Sequence, residues 1–519
     1  MVHVTSRDRA VVIGAGIGGL SAALLLAARG FAVTVIEAAE GPGGKMRQLR
    51  VDGHALDAGP TVFTLKAVFE QLFAEAGLDF AARVPLRRLD VLARHGWPDG
   101  SRLDLHADRQ ASRDAIGAFA GAEAARLYAE FARKSEAICR SLEQSFMQAE
   151  RPSPLGLVRQ AGISAMLRTQ PFSTLWKALG RFFPDPRLRQ LFGRYATYCG
   201  SSPFRAPATL MLIAHVEQDG VWQIEGGMHS LARAMQAAIE ELGGLFRFGS
   251  RVSAIETGHG RTSGVRLADG ETIAADFVVS NADREALAGG LLGRDAARSV
   301  PPLAREGRSL SAITLSGRGR FEGFPLHHHT VLFSGDYPAE FAALDRGTVP
   351  EDPTLYLCAL DRHGPAAPEG EESFLMLINA PARGDEAGAG LPENETCHRL
   401  LSQALARHGL TLNPGAAATV LTRPQDFAAL FPGTGGALYG MATHGAMASF
   451  QRPGSRSRLP GLYLTGGSVH PGPGVPMVAL SGRLAAEALI RDRASMRRSL
   501  PGATPGGIAM RSAPTAGSG

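Results

Sequence analysis

AVVIGAGIGGLSAALLLAARG, residues Ala10 to Gly30, decides the fold. Its first nineteen residues carry no charge and follow Arg7 and Arg9, so hydropathy alone reads a membrane anchor or a signal peptide. The glycines argue otherwise. Gly14, Gly16, Gly18 and Gly19 crowd the middle of the span, where each costs a helix interior about 1 kcal/mol relative to alanine. As a βαβ unit every residue has a place: Ala10–Ile13 a buried strand, Gly14–Gly19 a turn, Gly19–Arg29 a helix and Phe31–Ile36 a second strand. Gly14, Gly16 and Gly19 then form G-x-G-x-x-G, serving the tight turn, the close approach of backbone to a pyrophosphate, and helix-on-strand packing. The helix N-terminus presents unpaired N–H groups to the phosphates. Glu37 ends the second strand 18 residues after Gly19, where a carboxylate reaches a ribose hydroxyl. The expectation is a nucleotide-binding fold with neither signal peptide nor transmembrane helix.

With 519 residues the chain is long for one core, so two or three interleaved domains are expected. Hydrophobic residues make up 45% and charged residues 20%, which is ordinary globular usage and excludes a disordered chain. Cys139, Cys199, Cys358 and Cys397 are far apart and form no CxxC pair, which points to a reducing compartment rather than a disulfide framework or a zinc site. The net charge of +5 is concentrated: residues 151–205 hold nine basic side chains against the single acid Asp185.

Composition and periodicity divide the chain. Residues 8–107 carry the nucleotide motif and the glycine-rich loop EGPGGKMRQLRVDGHALDAGPTVF (Glu40–Phe63). Residues 108–220 read as helical, with apolar residues at threes and fours. Residues 221–283 resume the α/β pattern. Residues 284–430 mix strands with long loops that suit a sheet under a substrate pocket. The stretch 431–495 contains a last strand, glycine-proline turn and helix, and 499–519 reads as a disordered tail.

Several stretches, in order, resemble the flavin-dependent carotenoid desaturases of the bacterial phytoene-desaturase type. They are the glycine motif with Glu37, GGK (Gly43–Lys45), DAGPT (Asp57–Thr61), VVSNAD (Val278–Asp283), PEDPTLYL (Pro350–Leu357) and GLYLTGGSVHPGPGVPM (Gly461–Met477). The resemblance spans roughly residues 10 to 490. GPTVFT, ARHGWPDGSRLDL (Ala93–Leu105) and HPGPGVPM are most similar to the 1-hydroxycarotenoid 3,4-desaturases. It implies an α/β, Rossmann-like FAD-binding fold of the amine-oxidase and carotenoid-desaturase type, with a substrate-domain sheet and a helical, membrane-facing subdomain. Residues 8–107, 221–283 and 431–495 would then be the three FAD-binding parts, and 284–430 the substrate domain. By position, Gly14, Gly16, Gly19 and Glu37 fall on the ADP half of FAD. Gly43, Gly44 and Lys45, with Gly59, Pro60 and Thr61, fall near the phosphates or flavin, and Val252 touches the adenine side through its backbone. Gly466, Gly467 and the turn through Val475, Pro476 and Met477 would line the ribityl chain and isoalloxazine. TGGS departs from the GD of many flavoproteins at this turn and leaves Gly467 without a carboxylate.

The chemistry so implied asks little of side chains. Removing a hydride and a proton beside a polyene is carried by the cofactor, while the protein supplies orientation, a dry tunnel and a base. The implied substrate is an acyclic carotenoid, 1-hydroxylated or 1-methoxylated, dehydrogenated at C3–C4, with quinone or oxygen as the final electron acceptor. A phytoene desaturase, a carotenoid isomerase and a non-catalytic FAD-binding protein remain the alternatives. His470 is the one titratable side chain of the glycine-proline turn, available to take the proton or to hydrogen-bond the flavin. No metal is expected at His327, His328 and His329, because neighbours in an extended segment point to opposite faces and no nearby Cys or carboxylate completes a ligand set. In Pro154–Phe183 the bases Arg159, Arg168, Lys177 and Arg181 interleave with apolar residues. That pattern suits either an interfacial helix pair on a lipid bilayer surface or a solvated basic face. No nucleic-acid motif accompanies it. The expected location is cytoplasmic, peripheral to the inner face of the membrane.

Overall fold

The computed structural model describes residues 8–153, 156, 170, 172–364, 366–414 and 419–499. All but the first residue of the tail expected at 499–519 and most of the basic stretch after Ser153, including Arg159 and Arg168, lie outside the described residues.

The strand Arg9–Ile13 sits at the centre of a five-stranded parallel sheet. Its order is Leu462–Leu464, Phe277–Ser280, Arg9–Ile13, Ala32–Ile36, Leu245–Arg247. Both faces are covered, so Ala10–Ile13 is buried throughout. Ala10 and Val12 face helices Ile17–Ala28, His229–Glu241 and Val475–Ser499. Val11 and Ile13 face the small antiparallel sheet that begins at Val252–Gly258. The order of connection reverses between Ala32–Ile36 and Phe277–Ser280, on either side of the first strand, and leaves a crevice at its carboxyl end, where α/β sheets bind ligands. The first helix begins at Ile17, two residues earlier than Gly19, because Gly16 takes the extended conformation of an N-cap and Gly18 and Gly19 form the first turn.

An eight-stranded sheet forms the second layer, built around the long strand Ser311–Gly323, which pairs with Glu372–Ala380, Leu410–Pro414 and Val420–Thr422. The sheet continues through Leu355–Ala359 and His329–Leu332 to Val91–Gly96 and Arg102–His106. The last two strands differ from the expected division at residue 107. They leave the nucleotide segment and extend the larger sheet, with Arg94 in parallel register with Thr330. Alternating apolar residues such as Leu92, Leu103 and Leu105 bury against the helical layer, and that burial decides the placement. Helix Asn394–Ala406 covers one face of the sheet with Cys397, Leu400, Leu401 and Ala404.

The helical layer contains Arg109–Ala120, Ala122–Leu142, the π-helical turn Glu143–Met147 and shorter helices up to Leu212–Asp219. Among the described residues no helix is long and apolar enough to cross a membrane.

Candidate active site

Three glycine-rich loops meet at the carboxyl end of the central strand. Gly43 donates its N–H to the Ala15 carbonyl at 2.9 Å, so the GPGGK loop pairs with the first turn at Gly16. A Cβ on Gly44 would stand 3.2 Å from the Gly16 Cα. One on Gly59 would lie 2.0 Å from the Lys45 carbonyl oxygen, so the Gly59–Pro60–Thr61 segment can lie on the second loop only without a side chain at its first residue. The third loop arrives from Leu462–Leu464. A Cβ on Gly18 would approach Thr465 Oγ1 to 2.5 Å and Asn281 Oδ1 to 2.6 Å, and both oxygens are buried without a partner.

The side chains around these loops are firmly held. Glu37 accepts the N–H groups of Ala15 at 2.7 Å and Ala39 at 2.8 Å, which fixes its carboxylate beside the first turn. Lys45 crosses to the Leu438 carbonyl at 2.8 Å, and burial pulls its ammonium down against the opposing charge of Asp283. Thr61 bonds the Tyr356 hydroxyl at 2.5 Å. Val252 is buried in the small sheet against Ile36. Gly466 has φ +120°, and Gly467 gives its carbonyl to Arg452 Nη1 at 2.9 Å. Val475, Pro476 and Met477 form the first turn of the last helix rather than an open turn, because proline is tolerated where a helix starts.

A cavity of about 270 Å³ lies between this turn and the helical layer. Its wall is mainly apolar, with Val62, Leu65, Leu142, Ile213 and Val216 on one side and Pro471 and Pro473 to Met477 on the other. Arg452 stands in the wall, 6% exposed. Besides Gly467 it bonds the Met441 carbonyl at 2.6 Å, and burial lowers its pKa to about 10. Glu217 and Tyr198 are also in the wall. His470 is not among the cavity-lining residues. Its Nε2 donates to the Phe146 carbonyl at 2.9 Å, and burial lowers its pKa to about 4, so the ring is a neutral donor to the backbone.

The structure corrects the ground for excluding a metal at the histidine run. The rings of His328 and His329 meet edge-on at 4.5 Å instead of diverging, since His328 precedes the strand that His329 begins. Cys358 arrives from the paired strand, and the three potential ligand atoms lie within 4.8 Å of one another. Their hydrogen-bond partners are internal: His328 Nδ1 meets the Arg362 carbonyl at 3.1 Å and His329 Nδ1 meets Tyr356 at 2.8 Å.

The family model for flavin-containing amine oxidoreductases matches residues 17–490. A hydroxyneurosporene desaturase from Rubrivivax gelatinosus is 49% identical, the match covering 100% of each chain. Its namesake from Cereibacter sphaeroides is 45% identical over 94% of this chain and 99% of its own.

The chain belongs to the flavin-containing amine oxidoreductases, on their carotenoid-desaturase branch.

An oxidoreductase from Methanosarcina mazei shares the fold of this flavoenzyme at a TM-score of 0.59 and 16% identity, covering 92% of this chain and 100% of its own. The residues fit the family's cofactor. Gly16 supplies no side-chain cap, so the first helix turns free N–H groups toward a pyrophosphate. The unpartnered Asn281 Oδ1 and Thr465 Oγ1 lie beside Gly18, and Glu37 holds the Ala15 N–H of the same glycine turn. Three residues of the flavoenzyme site escaped the sequence. Asp283 closes the VVSNAD motif as the N-cap of the helix Arg284–Ala288, and its Oδ2 accepts the Ser468 hydroxyl, placing a carboxylate beside Gly467 from another part of the chain. Arg452 lies fifteen residues before the carbonyl it holds. Glu217 sits within an ordinary amphipathic helix. No spacing rule marks any of them, because each reaches the site through tertiary packing.

Proposed function

We propose that the chain removes two hydrogens from C3–C4 of an acyclic carotenoid bearing a 1-hydroxyl or 1-methoxyl group. The observation that carries this is the apolar cavity abutting the N-terminus of the last helix at Gly474–Met477, where a polyene can lie against a flavin. Bound FAD supplies the hydride acceptor. The chain's own residues do the rest. Gly14, Gly16, Gly19 and Glu37 hold the ADP half, and Gly43, Gly44, Lys45 and the Gly59–Thr61 segment flank the phosphates and flavin. Val252 supports the adenine, while Gly466, Gly467 and Val475–Met477 line the isoalloxazine. Asp283 takes the place of the carboxylate missing at Gly467. Apolar walls such as Val62, Leu65 and Ile213 exclude water, so hydride loss is not diverted to solvent. Among the described residues the Arg452 guanidinium hydrogen-bonds only carbonyl and hydroxyl oxygens, and it favours negative charge arriving beside it.

The cavity mouth supports delivery from a lipid surface. Phe172, 80% exposed, and Met447, 49% exposed, line it, and Lys177 and Arg181 are exposed close by in the chain. Exposed apolar side chains beside basic ones suit an anionic bilayer. Quinone dissolved in that bilayer, or oxygen, would reoxidise the flavin.

The test supplies liposomes holding phytoene, an unsubstituted coloured acyclic carotenoid or its 1-hydroxylated counterpart, and weighs the products. Loss of two hydrogens from the hydroxylated compound is expected. Conversion of phytoene alone would assign an earlier desaturation, equal product mass with altered geometry an isomerase, and retained FAD without any product a non-catalytic binder.

A further inference from the structure

We propose that Tyr198, held in place by Glu217, is the recognition site for the substrate's terminal hydroxyl. The inference rests on the reading of the substrate as an oxygenated acyclic carotenoid and names the group that reads the oxygen.

Glu217 is a carboxylate in an apolar wall, 3% exposed. A buried charge costs several kcal/mol unless it is paired and hydrogen-bonded. Here both conditions are met from behind. Arg194 Nη2 lies 3.3 Å from each carboxylate oxygen, the Tyr195 hydroxyl donates to Oε2 at 2.6 Å, and the Tyr198 hydroxyl donates to Oε1. Arg194 Nη1 in turn donates to the Tyr198 oxygen at 2.8 Å. Burial alone would pull Arg194 down, yet the charge of Glu217 and the two phenols hold it well above its ordinary value.

The cluster is oriented. Glu217 and Tyr198 line the cavity, whereas Arg194 and Tyr195 stand behind them. A purely structural tie between the 3₁₀ turn Arg194–Cys199 and the helix Leu212–Asp219 has no need to place a phenol in the wall of an apolar cavity. What faces the cavity is acceptor capacity. The Glu217 carboxylate already accepts four hydrogen bonds, two at each oxygen, whereas the Tyr198 oxygen, which donates one hydrogen and accepts another, has one lone pair left. A substrate O–H can fill this site, but a methyl ether, which has no hydrogen to give, cannot.

Position agrees with the chemistry. C1, which bears the oxygen, is two bonds from C3, so the receptor for that oxygen must share the cavity wall with the flavin-facing turn. Glu217 and Tyr198 occupy the same cavity as Gly474 to Met477. Tyr198 is also near enough to act electrostatically on Tyr356, whose hydroxyl bonds Thr61 of the flavin-flanking loop.

The test compares kcat/KM for 1-hydroxylated, 1-methoxylated and unsubstituted acyclic carotenoids in the wild type, Tyr198→Phe, Glu217→Gln and the charge-balanced double variant Glu217→Gln with Arg194→Met. FAD content and melting temperature confirm that each is folded. The wild type is expected to prefer hydroxyl over methoxyl and over the unsubstituted end. In the variants the hydroxyl preference is expected to fall roughly 3- to 10-fold, the worth of one hydrogen bond between neutral groups. Folded variants that keep the wild-type ratio, with all substrates slowed alike, would overturn the assignment and leave the cluster a structural tie. A wild type that converts none of the three would overturn the substrate reading itself, a result visible before any variant is made.

Discussion

Arg452 donates to the carbonyl of Gly467 at 2.9 Å from inside an apolar wall. One guanidinium therefore ties the glycine turn proposed to line the flavin to the Met441–Thr443 segment and brings a positive charge with it. Burial already presses on that charge, and an arginine placed there is retained because its planar fork reaches several acceptors at once. Arg452→Met is expected to lower FAD occupancy of the purified protein and to shift its reduction potential downward. Arg452→Lys keeps the charge and is expected to lose less. Spectra and potential unchanged in Arg452→Met would contradict the role.

Gly474 adopts φ +108° in the cavity wall, and the nearest atom to an added Cβ is Met477 Cγ at 3.9 Å. A side chain there meets backbone strain of about 1–3 kcal/mol and projects into the space assigned to the polyene. Gly474→Leu is expected to bind FAD with its normal visible absorbance while kcat/KM falls by roughly 100-fold or more. Full activity in a Gly474→Leu protein would remove the polyene from this wall.

The last helix crosses the first one at two glycines. A Cβ on Gly482 would lie 2.2 Å from the Gly18 carbonyl oxygen and 2.7 Å from Ser21 Cβ. Gly482→Ala is expected to push the helices apart and destabilise the protein by about 1–3 kcal/mol. Because Gly18 belongs to the phosphate turn, FAD release should accompany the drop in melting temperature. A Gly482→Ala protein as stable as the wild type and fully loaded with FAD would show that the crossing relaxes freely.

Stability is expected to fall on acidification because of buried neutral histidines. Burial lowers the pKa values of His328, His444 and His470 to about 4, from 6.5. His444 Nε2 accepts the Ser202 N–H at 3.0 Å and cannot accept a proton without losing that bond. Between about pH 6.5 and about 4 the unfolded chain takes up protons that the folded chain refuses, so folding stability present above this window is lost as pH falls through it. Each such histidine steepens the decline by up to about 1.4 kcal/mol per pH unit. His470→Gln preserves a donor for the Phe146 carbonyl and is expected to flatten the fall in melting temperature between pH 6.5 and 4. An unchanged slope would mean that His470 is not buried in neutral form.

Local chemistry was legible in the chain, and tertiary encounters were not. Gly14, Gly16, Gly19 and Glu37 could be placed because the turn, the phosphate approach and the end of the second strand are fixed by neighbours within about 25 residues of sequence. The subfamily likeness was equally visible in contiguous motifs. The strands Val91–Gly96 and Arg102–His106 could not be assigned to the larger sheet, because their partner at Thr330 lies more than 200 residues away. Cys358 beside His328 depends on antiparallel register between two strands. Arg194 and Glu217 are 23 residues apart in different helical turns, and neither differs in sequence from an ordinary surface charge.

The most direct measurement of the central claim is the visible spectrum, followed over time, of the FAD-loaded protein in liposomes with an electron acceptor and a 1-hydroxylated acyclic carotenoid. Progressive red shift of the polyene bands is predicted, because each turnover adds one conjugated double bond. Bands that stay in place while the flavin remains bound would contradict desaturation of this substrate.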